Sequence, residues 1–171
     1  MGVLVSDTSI IIDLERGEIL EAAFGLAAEL VVPDLLFQRE LAGPLGDQLL
    51  ALGLRVEELA AAEVQSATIL SRADRSLSLP DTFAFALAQA RQWTLLTGDA
   101  GLRRAAEAHQ LDVHGALWVL DQLEAEGVCD HGTLASALLK TSSHPRCRLP
   151  KAEVALRLAR YQGGYPPAPS P

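Results

Sequence analysis

Short apolar segments that alternate with helical stretches limit the fold of this chain more than any other feature. Four apolar runs have the length of a buried strand, at 3–5, 30–32, 54–59 and 94–96, and Val113 marks a fifth. Helical periodicity follows each of the four, in segments that include 10–15, 18–29, 60–73, 79–91 and 101–110. This alternation predicts an α/β fold in which helices cover both faces of a parallel sheet.

A length of 171 residues suits a single folded body with a real core. Only 5% of the residues are aromatic, so leucine, alanine and valine must fill that core. No apolar run approaches the ~20 residues that span a bilayer, and the first residues lack the pattern of a secretory signal. We therefore expect a cytoplasmic protein without a membrane segment.

The last third of the chain differs in pattern from the rest. From Gly115 onward every segment has helical periodicity, and the final residues are rich in proline and glycine. We predict an α/β domain at 1–127, a helical C-terminal extension at 128–161 and a disordered tail at 162–171.

Charge is distributed unevenly along the chain. The net charge of −8 argues against a simple basic surface for nucleic acid. Residues 140–160, however, carry six Lys or Arg residues against Glu153 alone, a net of +5 that leaves −13 on the rest. This basic segment is consistent either with binding of an RNA backbone or with an ordinary solvated helix surface.

Two carboxylates come directly after predicted strands. Asp7 follows VLVS, and Asp99 follows TLLTG at the start of a helical segment. The carboxyl ends of parallel strands lie at one edge of the sheet, where ligands of such sheets bind. Each residue alone also suits plain helix capping or turn formation, so the argument depends on further acids.

A third acid, Glu40, occupies an unusual position on a predicted helix. On a helix that begins at Pro33, the 100° periodicity places Glu40 between Leu36 and Phe37 on the apolar face. An ionised side chain buried there is costly without a cation to satisfy it. A shorter or rotated helix would instead leave Glu40 in water, and residues 43–46, rich in glycine and proline, predict a loop after it.

A fourth acid, Asp81, begins the apolar helix FAFALAQA. Ser78 and Asp81 also match a helix-capping box, which explains the residue equally well. Four acids at one end of one sheet repel one another unless a divalent cation holds them together. Carboxylate ligands favour Mg²⁺ or Mn²⁺, and such ions promote phosphodiester hydrolysis by lowering the pKa of a bound water.

These motifs resemble the PIN-domain family of metal-dependent ribonucleases, which includes the VapC toxins of bacterial toxin–antitoxin pairs. The strand and acid of VLVSDTS are similar to the family's opening motif, VPDLLFQREL to its glutamate-bearing helix, and LSLPDTFAFALAQA to its third motif. Thr97-Gly98-Asp99 is similar to the family's TxD after the fourth strand. The resemblance covers about residues 3–120 and makes Asp7, Glu40, Asp81 and Asp99 the family's four acids.

The resemblance implies a three-layer α/β/α sandwich around a parallel sheet and cleavage of RNA with one or two Mg²⁺ or Mn²⁺ ions. Asp7, Glu40, Asp81 and Asp99 would be the metal ligands and catalytic residues. It also implies a homodimer and, for a toxin, a bound antitoxin protein. Many members carry a further acid just after the fourth, but Ala100, Gly101 and Leu102 supply none.

Other residues near these motifs have proposed supporting roles. Thr8, Ser9 and Thr97 are expected to donate hydrogen bonds that orient the carboxylates. Arg103 and Arg104, one turn after Asp99, suit either binding of substrate phosphates or, for at least one of them, a solvated helix end.

Zinc is not expected as a cofactor of this chain. Cys129, His131, His144 and Cys147 have the right chemistry for zinc, but their order is unusual and the first pair is closely spaced. Three alternatives to a toxin-type ribonuclease remain open: a catalytically weak scaffold of the same fold, a DNA-directed nuclease and a housekeeping RNA-processing nuclease.

Overall fold

A computed structural model of the chain describes residues 2–163. Its centre is a five-stranded sheet in which every neighbouring pair is parallel. The strands are β1 (Gly2–Ser6), β2 (Ala28–Pro33), β3 (Arg55–Glu57), β4 (Thr94–Leu96) and β5 (Val113–His114). They lie in the order β3-β2-β1-β4-β5 with helices around them, which confirms the predicted α/β fold with a central parallel sheet.

Ten helices surround the sheet in the described range. They are α1 (Thr8–Arg16), α2 (Leu20–Ala23), α3 (Asp34–Leu36), α4 (Pro44–Leu52), α5 (Ala61–Ala73), α6 (Leu79–Arg91), α7 (Ala100–Ala108), α8 (Ala116–Ala125), α9 (His131–Ser143) and α10 (Lys151–Gly163). A π-helical turn, Phe37–Leu41, continues α3. No helix in this range is long and apolar enough to span a membrane.

The strand order determines where a ligand can bind. From β1 the chain moves to β2 and β3 on one side, and then crosses to β4 and β5 on the other. The carboxyl ends of β1 and β4 therefore lie together at the point where the order reverses, the usual binding crevice of such sheets. Ser6 pairs with Leu96 there, and the backbone N–H of Asp7 donates to the Leu96 carbonyl at 3.0 Å.

The predicted loop at 43–46 is wrong, because the chain forms α4 from Pro44 onward. Proline suits a first helical position, where its missing N–H costs no hydrogen bond. Close packing, rather than a need for backbone flexibility, explains the glycine at position 46, since a Cβ there would lie 2.6 Å from the Leu41 carbonyl oxygen. Glycine and proline do not break the helix here, because Pro44 begins it and Gly46 packs within it.

The predicted helix over 18–29 is also too long. Only α2 (Leu20–Ala23) is helical there, and β2 already begins at Ala28. Pairing of Ala28 with Gly2 extends the strand along β1, so tertiary hydrogen bonds override the local helical pattern.

The two C-terminal helices pack onto the sheet-containing body. Leu134, Leu138, Val154 and Tyr161 are buried and belong to the same apolar cluster as the sheet residues. The buried Thr141 hydroxyl donates to the Asp13 carbonyl of α1 at 3.1 Å. The predicted tail at 162–171 lies outside the described residues except for its first two, which end α10. The predicted boundary at residue 127 remains a prediction.

Charged side chains attach α10 to α8. Arg157 donates to both carboxylate oxygens of Asp121, at 2.9 and 2.5 Å, and Arg160 donates to Asp121 at 2.7 Å and lies 2.6 Å from Glu124. Replacing Asp121 with alanine is expected to lower the free energy of unfolding by about 1–3 kcal/mol, because two partly buried guanidinium groups lose a partner. Urea unfolding measures the change, and Lys151→Ala serves as an exposed control; equal effects of the two variants would contradict this role.

Candidate active site

A cleft of about 690 Å³ opens at the carboxyl ends of β1 and β4. We call it the acidic cleft, because three of the four predicted acids, Asp7, Asp81 and Asp99, line it. Its other walls come from α1 and from the turn between α9 and α10. The structure thus brings together residues that are 92 positions apart in the sequence.

Asp7 is the most buried of these acids, with a side chain only 1% exposed. It is the N-cap of α1, and its Oδ1 accepts from the Ile10 N–H at 3.1 Å and from the Ser9 hydroxyl at 2.6 Å. Its Oδ2 accepts from the Thr97 hydroxyl. The hydrogen bonds to Asp7 within residues 2–163 thus come from neutral groups, and no arginine or lysine compensates its charge.

Burial has a measurable consequence for this carboxyl group. Desolvation raises the pKa of Asp7 to about 6 from an ordinary value of 3.8, and repulsion from Asp81 adds to the rise. The hydrogen bonds from Ser9 and Thr97 oppose it without cancelling it. A buried acid that lacks a cationic partner is a good position for a cation to bind.

Asp99 is positioned by the end of β4 and the start of α7. It is the N-cap of α7, and its Oδ1 accepts from the Leu102 N–H at 2.8 Å. The Thr97 hydroxyl accepts from the Asp99 N–H at 3.0 Å and also donates to Asp7, so one threonine links the two acids. The capping bond uses Oδ1, and Oδ2 accepts no hydrogen bond from residues 2–163.

Asp81 has the capping role that the sequence allowed and also lines the acidic cleft. The Ser78 hydroxyl and backbone N–H both donate to its Oδ2, at 2.6 and 3.2 Å. Helix capping and a place among the acids of the cleft are therefore compatible for Asp81, since the cap engages only one of its two carboxylate oxygens. The other oxygen, Oδ1, is the one that a ligand would use.

Glu40 does not occupy the buried position predicted for it. Its side chain is exposed, because the chain forms a π-helical turn at Phe37–Leu41, whose wider spacing rotates residue 40 off the apolar face. The Thr8 hydroxyl, which belongs to the wall of the acidic cleft, donates to Glu40 Oε2. Glu40 thus reaches the edge of the cleft through Thr8, while its predicted role as a ligand remains a prediction.

Sequence reasoning missed one carboxylate of this cleft. Asp13, on α1, lines the acidic cleft, and burial raises its pKa while Arg16, at 3.4 Å, opposes the rise. Asp13 lies four residues after Ser9, so helical spacing from the first motif could have identified it.

Ser9 joins the two sides of the cleft. Its hydroxyl donates to Asp7 and accepts from the Gly98 N–H at 2.8 Å. A Cβ at Gly98 would lie 2.9 Å from that hydroxyl oxygen, so a larger residue there would displace the Ser9 side chain from this close approach. The proposed orienting role of Ser9 and Thr97 is consistent with these bonds.

The arginines near Asp99 differ in their surroundings. Arg103 donates to the carbonyls of Thr97 at 3.1 Å and Val113 at 3.4 Å, which ties β4 to β5. Arg104 is exposed. Two arginines from the basic C-terminal segment, Arg146 and Arg148, line the acidic cleft from the opposite side.

The carboxylates of the acidic cleft are the type of ligand that a hard divalent ion prefers, but they are not arranged as a complete metal site. Within residues 2–163 no three His, Cys, Asp or Glu side chains converge closely enough to form one. Each acid instead bonds to its own cap or hydroxyl, as the preceding distances show. Carboxylate oxygens from Asp7, Asp81 and Asp99 around one cleft, with Asp7 buried and uncompensated, fit Mg²⁺ or Mn²⁺ by ligand type.

A family model described as a PIN domain matches residues 3–162, a range that includes the C-terminal helices as well as the sheet. No curated protein matches the chain significantly.

Proposed function

Because the chain belongs to the PIN-domain family, whose members are in general metal-using nucleases, we propose that it is a metal-dependent endoribonuclease. The observation that supports this most strongly is Asp7, a buried carboxylate without a cationic partner, in one cleft with Asp81 and Asp99. The ion would be Mg²⁺ or Mn²⁺, held by Asp7, Asp81, Asp99 and Glu40.

The residues around the acidic cleft would have distinct parts in this reaction. A divalent ion held by these acids would neutralise charge at the phosphate and lower the pKa of the attacking water. Ser9 and Thr97 hold the Asp7 carboxylate in one orientation, and Thr8 positions Glu40. The caps of α6 and α7 fix Asp81 and Asp99 on rigid helix ends, so neither side chain has to be ordered when the substrate binds. Arg103 and Arg104 are candidates for contact with the phosphate backbone.

Cleavage of a mixed single-stranded RNA pool tests this function. We expect cleavage with Mg²⁺ or Mn²⁺ and none with EDTA, and little cleavage of a matched DNA pool. Preferential cleavage of the DNA pool would support the DNA-directed alternative. No cleavage of either pool at millimolar ion concentration would contradict a nuclease and favour the scaffold alternative.

The role of toxin in a toxin–antitoxin pair follows from the resemblance of the motifs and is part of the proposal. A toxin would slow growth when expressed, and Asp7→Asn would abolish the effect at equal protein level. Normal growth with the wild-type protein would instead favour a housekeeping RNA-processing nuclease. A homodimer and a bound antitoxin protein are the partners proposed with this role.

A further inference from the structure

The structure divides the basic segment 140–160 into two groups with different surroundings. Lys140, Arg157 and Arg160 pair with acids of the body, so they attach α9 and α10. Arg146 and Arg148 lie in the turn between these helices, are exposed, and have no carboxylate within ion-pair distance in residues 2–163. The two cations thus line the same cleft as Asp7, Asp81 and Asp99 without being neutralised.

The turn that carries these arginines is fixed at both ends. The buried Thr141 holds the end of α9 against α1. The bonds from Arg157 and Arg160 to Asp121 hold α10 against α8. Within the turn, the N–H of Cys147 donates to the His144 carbonyl at 2.9 Å. Because the fold determines its position, the turn is a wall of the cleft and keeps both exposed arginines beside it.

A second cavity, of about 340 Å³, adjoins the acidic cleft and shares Asp13, Gly98 and Arg148 with it. We call it the apolar cavity, because Leu117, Trp118, Leu149 and Pro150 line it. The ring of Trp118 stacks on His114 with centroids 4.3 Å apart, which holds it in place. Its volume is in the range of small-molecule sites, roughly 300–1,000 Å³.

Resting on the proposed nuclease function, we propose that the two cavities form one subsite for a nucleotide of the substrate strand. Arg146 and Arg148 bind backbone phosphates at the acidic cleft, and the adjacent unpaired base enters the apolar cavity. Arginine pairs well with phosphate oxygens, and apolar and aromatic walls accept the face of any base. The C-terminal helices are then part of the substrate site.

Binding of short single-stranded oligonucleotides in EDTA, measured by fluorescence anisotropy, tests the arginines without cleavage. Arg146→Ala and Arg148→Ala are each expected to weaken binding of a fluorescent RNA pentamer by about five- to tenfold and to flatten its salt dependence. Lys151→Ala, an exposed cation close by that lines neither cavity, is the matched control and should change binding by less than about twofold. Equal effects of all three variants would overturn the proposal, because they would indicate general charge attraction.

The position of the base is tested separately. A pentamer with a central abasic nucleotide should bind about tenfold more weakly than the intact pentamer, since base stacking is lost. A pentamer with 5-iodouridine should form its photochemical crosslink within residues 116–118 or 148–150, and a DNA version shows whether the sugar matters. Crosslinks elsewhere, or equal binding of the abasic pentamer, would overturn the base site.

These tests separate this inference from the proposed function. Loss of binding in the arginine variants would support the subsite even if no cleavage were found with any metal. Cleavage by the wild-type protein together with unchanged binding and cleavage by both arginine variants would overturn the subsite alone.

Discussion

Replacing Asp99 with asparagine is expected to reduce nuclease activity by about 100-fold or more, while the stability of the fold stays within about 0.5 kcal/mol. Asparagine caps a helix as well as aspartate does, so the bond from the Leu102 N–H to residue 99 is kept. The variant removes the negative charge from the acidic cleft and changes little else. Initial cleavage rates and urea unfolding provide the two measurements.

The chain offers a matched control for this substitution. Asp130 caps α9 in the same way, accepting from the Thr133 N–H at 2.7 Å, but it does not line the acidic cleft. Asp130→Asn should therefore leave the cleavage rate unchanged. Activity retained in Asp99→Asn, or lost equally in both variants, would contradict a ligand role for Asp99.

Asp7→Asn should make the metal-free protein more stable above about pH 6, by up to about 3 kcal/mol. Burial raises the pKa of Asp7 to about 6 in the folded chain from an ordinary 3.8, so the folded state binds the proton more tightly. As pH rises from about 4 to about 6, the wild-type protein loses stability relative to the variant, because its buried side chain ionises. Below about pH 4 the advantage of the variant disappears.

Urea unfolding in EDTA at about pH 4 and about pH 7 measures this difference. Asp130→Asn is the control. Because hydrogen bonds from Thr133 lower the pKa of Asp130, the stability of the wild type relative to this variant should change with pH in the opposite direction. At neutral pH, Mn²⁺ should make the wild-type protein more stable than Asp7→Asn, because the ion binds and stabilises the wild type and not the variant. If Asp7→Asn were less stable than the wild type in EDTA at neutral pH, the buried carboxylate would not carry an uncompensated charge.

The sequence predicted the elements whose patterns are local. The runs at 3–5 and 94–96 lie within β1 and β4, and the helix predicted at 79–91 matches α6 residue for residue. The placement of Asp7 and Asp99 at adjacent strand ends follows from parallel pairing, which the alternation of strands and helices implies. Asp7, Asp81 and Asp99 therefore line one cleft, while their role as metal ligands stays a prediction.

The features that were missed depend on geometry that no short pattern encodes. A π-helical turn moved Glu40 off the apolar face, and strand pairing shortened the helix predicted after residue 18. The position of Arg146 and Arg148 depends on how α9 and α10 pack, so charge counting along the chain did not separate them from the paired Arg157.

Calorimetric titration of Mn²⁺ into the wild-type protein, Asp99→Asn and Asp130→Asn tests the metal-dependent carboxylate site most directly. We expect binding to the wild type and to Asp130→Asn, and its loss in Asp99→Asn, with cleavage of the RNA pool following the same order. Absence of Mn²⁺ and Mg²⁺ binding to the wild type at millimolar concentration, or equal binding to all three proteins, would contradict a metal site built on these acids.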